Sequence, residues 1–101
     1  RVDITLPAEI DHLKLDIEKF VMEMVAKLYH HKDKGHWEDV NIPNALHLLH
    51  GEVYELEEAI AEKDYQAIHK EAADVANYAL ILSSVLRRQH REEQLELFND
   101  K

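Results

Sequence analysis

Helix-breaking residues are scarce in this chain, with two glycines and two prolines among 101 residues. Glycine disfavours a helix interior through its backbone entropy, and proline does so because it lacks an N–H. Apolar residues recur at helical spacing over three long stretches, and no segment has the strict alternation of a strand. The chain is therefore predicted to be all-α, a single domain over residues 1–101 built as a bundle of three long helices.

The three predicted helices are separated by one loop and one tight turn. Their expected bounds are residues 8 or 9 to 31, 44 to 62, and 65 to beyond 88. Pro7 suits a helix entrance, and Asn44 is a residue type favoured at helix caps. Residues 32–43 contain Gly35 and Pro43 and are predicted to form the loop. Residues 89–101 are expected either to continue the third helix or to form a short fourth helix around residues 95–98.

The composition excludes several classes of function. A net charge of −9 argues against binding a nucleic-acid polymer, whose phosphates require clustered Lys and Arg. The absence of cysteine excludes disulfides, thiolate nucleophiles and Cys-ligated zinc, and it fits a reducing compartment. The longest strongly apolar run, residues 75–86, is too short to cross a bilayer. No membrane partner and a cytoplasmic location are therefore expected.

Two pairs of acidic residues stand at helical spacing in the middle of the chain: Glu52 with Glu55, and Glu71 with Asp74. Residues three apart share one helix face, so each pair directs two carboxylates the same way. Two such helices side by side would place four carboxylates in a small volume. Like charges raise one another's pKa there, and a divalent cation relieves that conflict. The pattern predicts a magnesium-type site.

Both acid pairs lie on the flanks of apolar stripes. The stripes that are expected to be the main packing faces are Leu46, Leu49, Val53, Leu56 and Ile60 in the second helix, and Ile68, Ala72, Val75, Ala79, Leu82 and Leu86 in the third. An unpaired carboxylate embedded in an apolar surface costs on the order of several kcal/mol of folding free energy. An ordinary solvated acidic face is the alternative interpretation, and for a single pair it would be the commoner one.

Apolar residues cover more than one face of the third helix. A run of small residues, Ala72, Ala73, Ala76 and Ala79, invites close helix approach, while Ile81 and Val85 point elsewhere. One subunit cannot hide all of this surface. The bundle is therefore expected to be completed by a second copy of the chain, as a homodimer or a dimer of dimers.

The residues around the acid pairs resemble a known family. Glu52-x-x-Glu55 followed by Glu71-x-x-Asp74 resembles the metal signature of the all-α nucleoside triphosphate pyrophosphohydrolases, the MazG-like superfamily. The upstream stretch Lys34-Gly-His-Trp37 is similar to MazG. The run from Leu49 to Leu56 is also similar to MazG, and it looks closer to the dCTP pyrophosphatase branch. Gly51 departs from the pattern, because many members have Glu there. The likeness covers roughly residues 32–86.

The resemblance implies hydrolysis of a (deoxy)nucleoside triphosphate between its α and β phosphates, giving the monophosphate and pyrophosphate. Such an activity serves house-cleaning or control of the nucleotide pool. The residues agree, because Ser83 and Ser84 lie mid-helix without a suitably spaced His, so that the nucleophile must be water activated by a metal. Mg²⁺, with Mn²⁺ as an alternative, is the expected cofactor. The residues assigned to the metal and to catalysis are Glu52, Glu55, Glu71 and Asp74.

Five further residues are candidates for binding the substrate. Lys32 and Lys34 are assigned to phosphate charge, and Trp37 to base stacking. Tyr78 is assigned to stacking on sugar or base, and Asn77 to a contact with the metal or the base. Each has a structural alternative: Trp37 as a loop anchor, Tyr78 as a core residue and the lysines as exposed side chains.

Two competing functions remain open from the sequence. One is a non-catalytic dimeric helical bundle that binds a nucleotide or a protein partner through the same groove. The other is a His/Glu metalloprotein, because His47 and His50 are one turn apart and three more histidines, at 30, 31 and 36, cluster near the loop. The preferred base, the sugar, the number of metal ions and the general base are not determined by any motif in the chain.

Overall fold

A computed structural model describes residues 4–32 and 40–99, the side chains of residues 98 and 99 excepted. A 3₁₀ segment, Ala8–Leu13, leads into helix α1, Lys14–His30, which is followed by α2, Ile42–Ala61, and α3, Tyr65–Asn99. No strand occurs in these ranges, so the prediction of an all-α fold with three long helices is confirmed. None of the described helices combines the length and the apolarity needed to cross a membrane.

Helix α2 begins earlier than predicted. Its N-cap is Asn41, whose side-chain oxygen accepts a hydrogen bond from the Asn44 backbone N–H at 3.0 Å. The sequence-based prediction placed the cap at Asn44 and left Pro43 in the loop, and both assignments were wrong. Proline is tolerated in the first turn because its missing N–H would have no partner within the helix. Pro43 therefore belongs to α2.

The turn between α2 and α3 is as tight as predicted. Lys63 adopts a positive φ of 58°. Its N–H donates to the Ile60 carbonyl, and the Asp64 N–H donates to the Ala59 carbonyl, both at 3.1 Å. This pair of bonds is the Schellman arrangement that closes many helices. The Asp64 carboxylate then accepts from the Ala67 N–H at 3.2 Å and caps the start of α3.

Helix α3 is one continuous helix of 35 residues. Of the two alternatives for the C-terminal segment, continuation of the third helix is therefore confirmed and a separate short helix is wrong. Among the described residues, α3 packs against both α1 and α2, whereas the backbones of α1 and α2 do not approach within 8 Å at their Cα atoms. The third helix is thus the common partner that brings the other two to one site.

Small residues form most of the core in the described part of the chain. The buried apolar residues are Ala45, Ala59, Ala73 and Val85. Ala45 and Ala59 lie on the flank of α2 that also carries Glu52, whereas Leu46 and Ile60 of the predicted main stripe are 46% and 55% exposed. Within one chain the predicted stripe packs only in part, because Leu49 and Leu56 are half-buried while Leu46, Val53 and Ile60 are exposed. Small side chains let α2 approach α3 closely, so the flank of α2 that carries Glu52 faces α3.

Candidate metal centre

Three carboxylates converge where α2 packs against α3. Ligand oxygens of Glu52, Glu55 and Glu71 all lie within 4.8 Å of one another. The two α2 residues share a face because they are three positions apart, and the packing of the helices adds Glu71 from α3. Glu52 and Glu71 are half-buried, while Glu55 is exposed. The group is therefore open to solvent on one side and enclosed on the other.

The electrostatics of this group favour a cation. Burial and the neighbouring Glu55 and Glu71 carboxyls raise the pKa of Glu52 to about 8. Burial, followed by Glu55, also raises the pKa of Glu71. The Oε2 atoms of Glu52 and Glu71 are buried without a hydrogen-bond partner. Such oxygens cost free energy unless a proton or a cation satisfies them, and three hard oxygen donors at this spacing suit a divalent metal ion.

Asp74, the fourth predicted acid, has a different partner. Its Oδ2 atom lies 3.2 Å from the Nζ atom of Lys27 on α1, and the two side chains are 19% and 23% exposed. The negative charge of Asp74 still contributes to the raised pKa values of Glu52 and Glu71, so it lies close to the group. The structure therefore brings together three of the four acids as potential ligands and pairs the fourth with a lysine.

Sequence reasoning did not identify Lys27. It lies three positions after Met24 and seven after Phe20, so it projects from the apolar face of α1 rather than from its polar face. A lysine on an apolar face needs a counter-charge just as a buried acid does. The search for charged side chains on apolar helix faces, which identified the acids, would also have identified Lys27.

Asn77 and Tyr78 lie beside the acids, but they differ in their contacts. The Asn77 side-chain amide donates to the Met24 backbone carbonyl at 3.0 Å, and the residue is 6% exposed. Its Oδ1 atom has no hydrogen-bond partner. Tyr78 is half-buried, and its pKa is raised by burial and by the charges of Glu52, Asp74 and Glu55. Asn77 joins α1 to α3, and Tyr78 borders the acid group.

The predicted phosphate and base contacts receive less support from the described residues. The Nζ atom of Lys32 lies over the Tyr29 ring, 4.3 Å from its centroid. Lys34 and Trp37 lie outside the described residues. Within residues 4–32 and 40–99, no group of three or more metal-ligating side chains contains a histidine. The described part of the chain thus gives no support to a His-based metal site, and His36 lies outside it.

A polar recess of about 350 Å³ is lined by residues of α1 and α3. Its lining residues are Glu23, Gln66, His69 and Lys70. Glu23 precedes Lys27 by four residues, and Lys70 precedes Asp74 by four, so the recess lies one turn from the ion pair along both helices. No sequence motif had singled out these residues.

Comparison with known proteins assigns the chain to a family. The model of the MazG nucleotide pyrophosphohydrolase domain matches residues 42–98, more than half of the chain. The chain belongs to the MazG family. Neither the curated proteins nor the solved structures contain a significant match. Membership indicates nucleotide pyrophosphohydrolase activity in general, and it confirms the resemblance noted in the sequence.

The match to the MazG domain includes the four acids of the site but not Lys27. All four predicted acids lie within residues 42–98, whereas Lys27 and the whole of α1 lie before them. Gly51, at the position where the MazG-like pattern often has Glu, is within the match, and a Cβ added there would meet nothing within 4 Å. A lack of space therefore does not account for the missing acid.

Proposed function

We propose that this protein is a metal-dependent nucleoside triphosphate pyrophosphohydrolase. It hydrolyses (deoxy)nucleoside triphosphates to the monophosphate and pyrophosphate, for house-cleaning or control of the nucleotide pool. The observation that carries this proposal is the convergence of Glu52, Glu55 and Glu71, with two buried unpartnered oxygens, inside the segment matched by the MazG domain. The domain is taken to comprise residues 1–101, because α1 packs on α3.

The proposed cofactor is Mg²⁺, with Mn²⁺ as an alternative. Glu52, Glu55 and Glu71 supply hard oxygen donors at a spacing that fits it, and Asp74 is assigned as a further ligand or charge partner. When bound, such an ion offsets phosphate charge and lowers the pKa of water. With a pKa of about 8, Glu52 holds a proton at neutral pH in the absence of metal and must release it to become a ligand.

The remaining assignments concern the substrate and the assembly. Tyr78 is proposed to contact sugar or base, because it is half-buried beside the acids. Asn77 has one free acceptor atom and is retained as a contact candidate. Lys32, Lys34 and Trp37 remain proposals for phosphate and base. The functional unit is proposed to be a homodimer or a dimer of dimers, and a cytoplasmic location stays a prediction.

The test is pyrophosphate release from a panel of ribo- and deoxynucleoside triphosphates, with and without Mg²⁺. Glu55→Gln and Asp74→Asn are expected to lose orders of magnitude in turnover with helicity unchanged, because each removes an acid assigned to the metal. Glu57→Gln, an exposed acid outside the three-carboxylate group, is the matched control and should keep normal turnover. Near-normal activity of Glu55→Gln would refute the site assignment. Nucleotide binding without hydrolysis would instead support a non-catalytic bundle.

A further inference from the structure

Helix α1 contributes a positive charge to the acid site, although the MazG domain match covers only residues of α2 and α3. The Lys27 Nζ atom lies 3.2 Å from Asp74 Oδ2, although the two residues are 47 positions apart in the chain. Asp74 was one of four acids predicted to face a cation. In the structure, the cationic partner of Asp74 is a lysine of the protein itself.

This ion pair is built into the helix packing rather than formed by chance at the surface. The side chains of Lys27 and Asp74 are 23% and 19% exposed. One turn away, the Asn77 amide donates to the Met24 carbonyl and is nearly buried. Together the two contacts fix the register of α1 on α3, and with it the position of the Lys27 ammonium group. Exposed ion pairs lack such constraints and contribute little.

The charge of Lys27 acts against a cation at the neighbouring acids. Asp74 is close enough to contribute to the raised pKa values of Glu52 and Glu71, so a group bonded to Asp74 is close to them as well. A positive charge beside these carboxylates repels a divalent ion that they bind, and it also occupies one Asp74 oxygen that could bind the ion. The Lys27 ammonium group and a divalent ion therefore compete for the Asp74 carboxylate.

We propose that Lys27 is a positioning residue that competes with a divalent cation for Asp74, so that α1 lowers the cation affinity of the nucleotide-free chain. The proposal rests on the proposed function, because it takes the acid group to be a cation site. It adds that a residue outside the matched segment sets how tightly that site binds its metal. Lys27 acts through Asp74 rather than on the substrate.

The experiment titrates the full-length protein with Mn²⁺ alone, without nucleotide, and measures free Mn²⁺ by electron paramagnetic resonance. Lys27→Met should bind Mn²⁺ at least about fivefold more tightly than the parent protein, since one nearby positive charge is removed. Lys27→Arg keeps the charge and should bind like the parent. A merely structural role for Lys27 would predict weaker or unchanged binding on its removal.

Further variants isolate the mechanism. Lys19→Met, an exposed lysine eight residues before Lys27 on α1, changes the net charge equally and should leave the affinity unchanged. In an Asp74→Asn background, Lys27→Met should have little effect, because the lysine acts through that carboxylate. If Lys27→Met fails to fold, Lys27→Gln removes the charge while keeping a hydrogen-bond donor to Asp74, and the same increase is expected.

Each outcome decides the inference. Unchanged or weaker Mn²⁺ binding by folded Lys27→Met or Lys27→Gln, or an equal increase from Lys27→Met in the Asp74→Asn background, would overturn it. The proposed function is judged separately, by pyrophosphate release from the parent protein. Tighter Mn²⁺ binding without any hydrolysis would contradict the function alone, and hydrolysis without tighter binding would contradict the role of Lys27 alone.

Discussion

Glu52 is a residue whose ionisation is strongly changed by the fold. It is half-buried on the small-residue flank of α2, and the Glu55 and Glu71 carboxyls approach it from two helices. Burial and these neighbours raise its pKa from 4.5 to about 8. The metal-free folded state therefore keeps a proton that the unfolded chain releases at much lower pH.

The first prediction is that the metal-free protein loses stability as pH rises from about 5 towards 8. In this window the folded state binds more protons than the unfolded state, so the free energy of unfolding falls with pH and levels off above the folded pKa. Urea unfolding in EDTA across this range measures the slope. Glu52→Gln should flatten the slope, whereas Glu57→Gln should retain it. An unchanged slope in Glu52→Gln would assign the effect to other groups.

The turn that joins α2 to α3 sets the relative position of the acid-bearing helices. Lys63, at a φ of 58°, occupies the position that closes α2, where glycine is the usual residue because it lacks a Cβ. The Schellman bonds on either side of it define where α3 can start. The short turn therefore places Lys63 in a backbone conformation that is strained for a residue with a Cβ.

The second prediction is that Lys63→Gly stabilises the protein by about 0.5–1 kcal/mol, because strain at a positive φ is relieved although the unfolded chain gains entropy. Chemical unfolding with a two-state fit measures the change. Lys63→Ala retains the Cβ and should give little or no gain, which separates backbone strain from loss of the lysine charge. A stabilisation of equal size in both variants would point to the charge.

The whole molecule leaves much apolar surface uncovered. Leu46, Val53 and Ile60 of α2 are 46%, 36% and 55% exposed, and Leu80 and Leu86 of α3 are 41% and 48% exposed. No large side chain is fully buried among the described residues. Surface of this kind on a helical bundle is typical of chains that associate.

The third prediction is that light scattering at micromolar concentration gives the mass of a dimer or a tetramer. Ile60→Lys places a charge on the exposed apolar stripe of α2 and should lower the mass or weaken association several-fold. His47→Lys adds the same side chain to an exposed position on the other side of that helix, and should not. A stable, active monomer would show that one chain completes the site.

The fourth prediction concerns how a chain of net charge −9 binds a triphosphate. At about 4 Å each pair of like unit charges costs roughly 4 kcal/mol at an effective dielectric near 20, so the acid group repels phosphate without a cation. Nucleotide and Mg²⁺ should therefore strengthen each other's binding by the same factor. Calorimetry with a non-hydrolysable analogue should detect clear binding with Mg²⁺ and little in EDTA. Equal affinity in both would mean that the acids do not face the phosphates.

Local order along the chain was determined by the sequence itself. The three helices, the tight turn at residues 63–64 and the shared faces of Glu52 with Glu55 and of Glu71 with Asp74 follow from interactions within one or two turns. These depend on the local sequence, namely its helix breakers and the spacing of its side chains, and can be read without a tertiary contact. The family likeness rested on these acid pairs and on the stretch from Lys34 to Trp37, and the MazG match to residues 42–98 confirms the family.

The partners of the acids were decided by the tertiary structure. Small residues at Ala45 and Ala59 allow α2 to approach α3 on its acid-bearing flank, which half-buries Glu52 and leaves Ile60 exposed. The packing of α1 on α3 directs Lys27 to Asp74, across 47 residues, and leaves Glu52, Glu55 and Glu71 as the close group. Periodicity places a side chain on a face of its own helix. Which faces meet depends on the volumes and charges of all three helices together, and only their packing determines it.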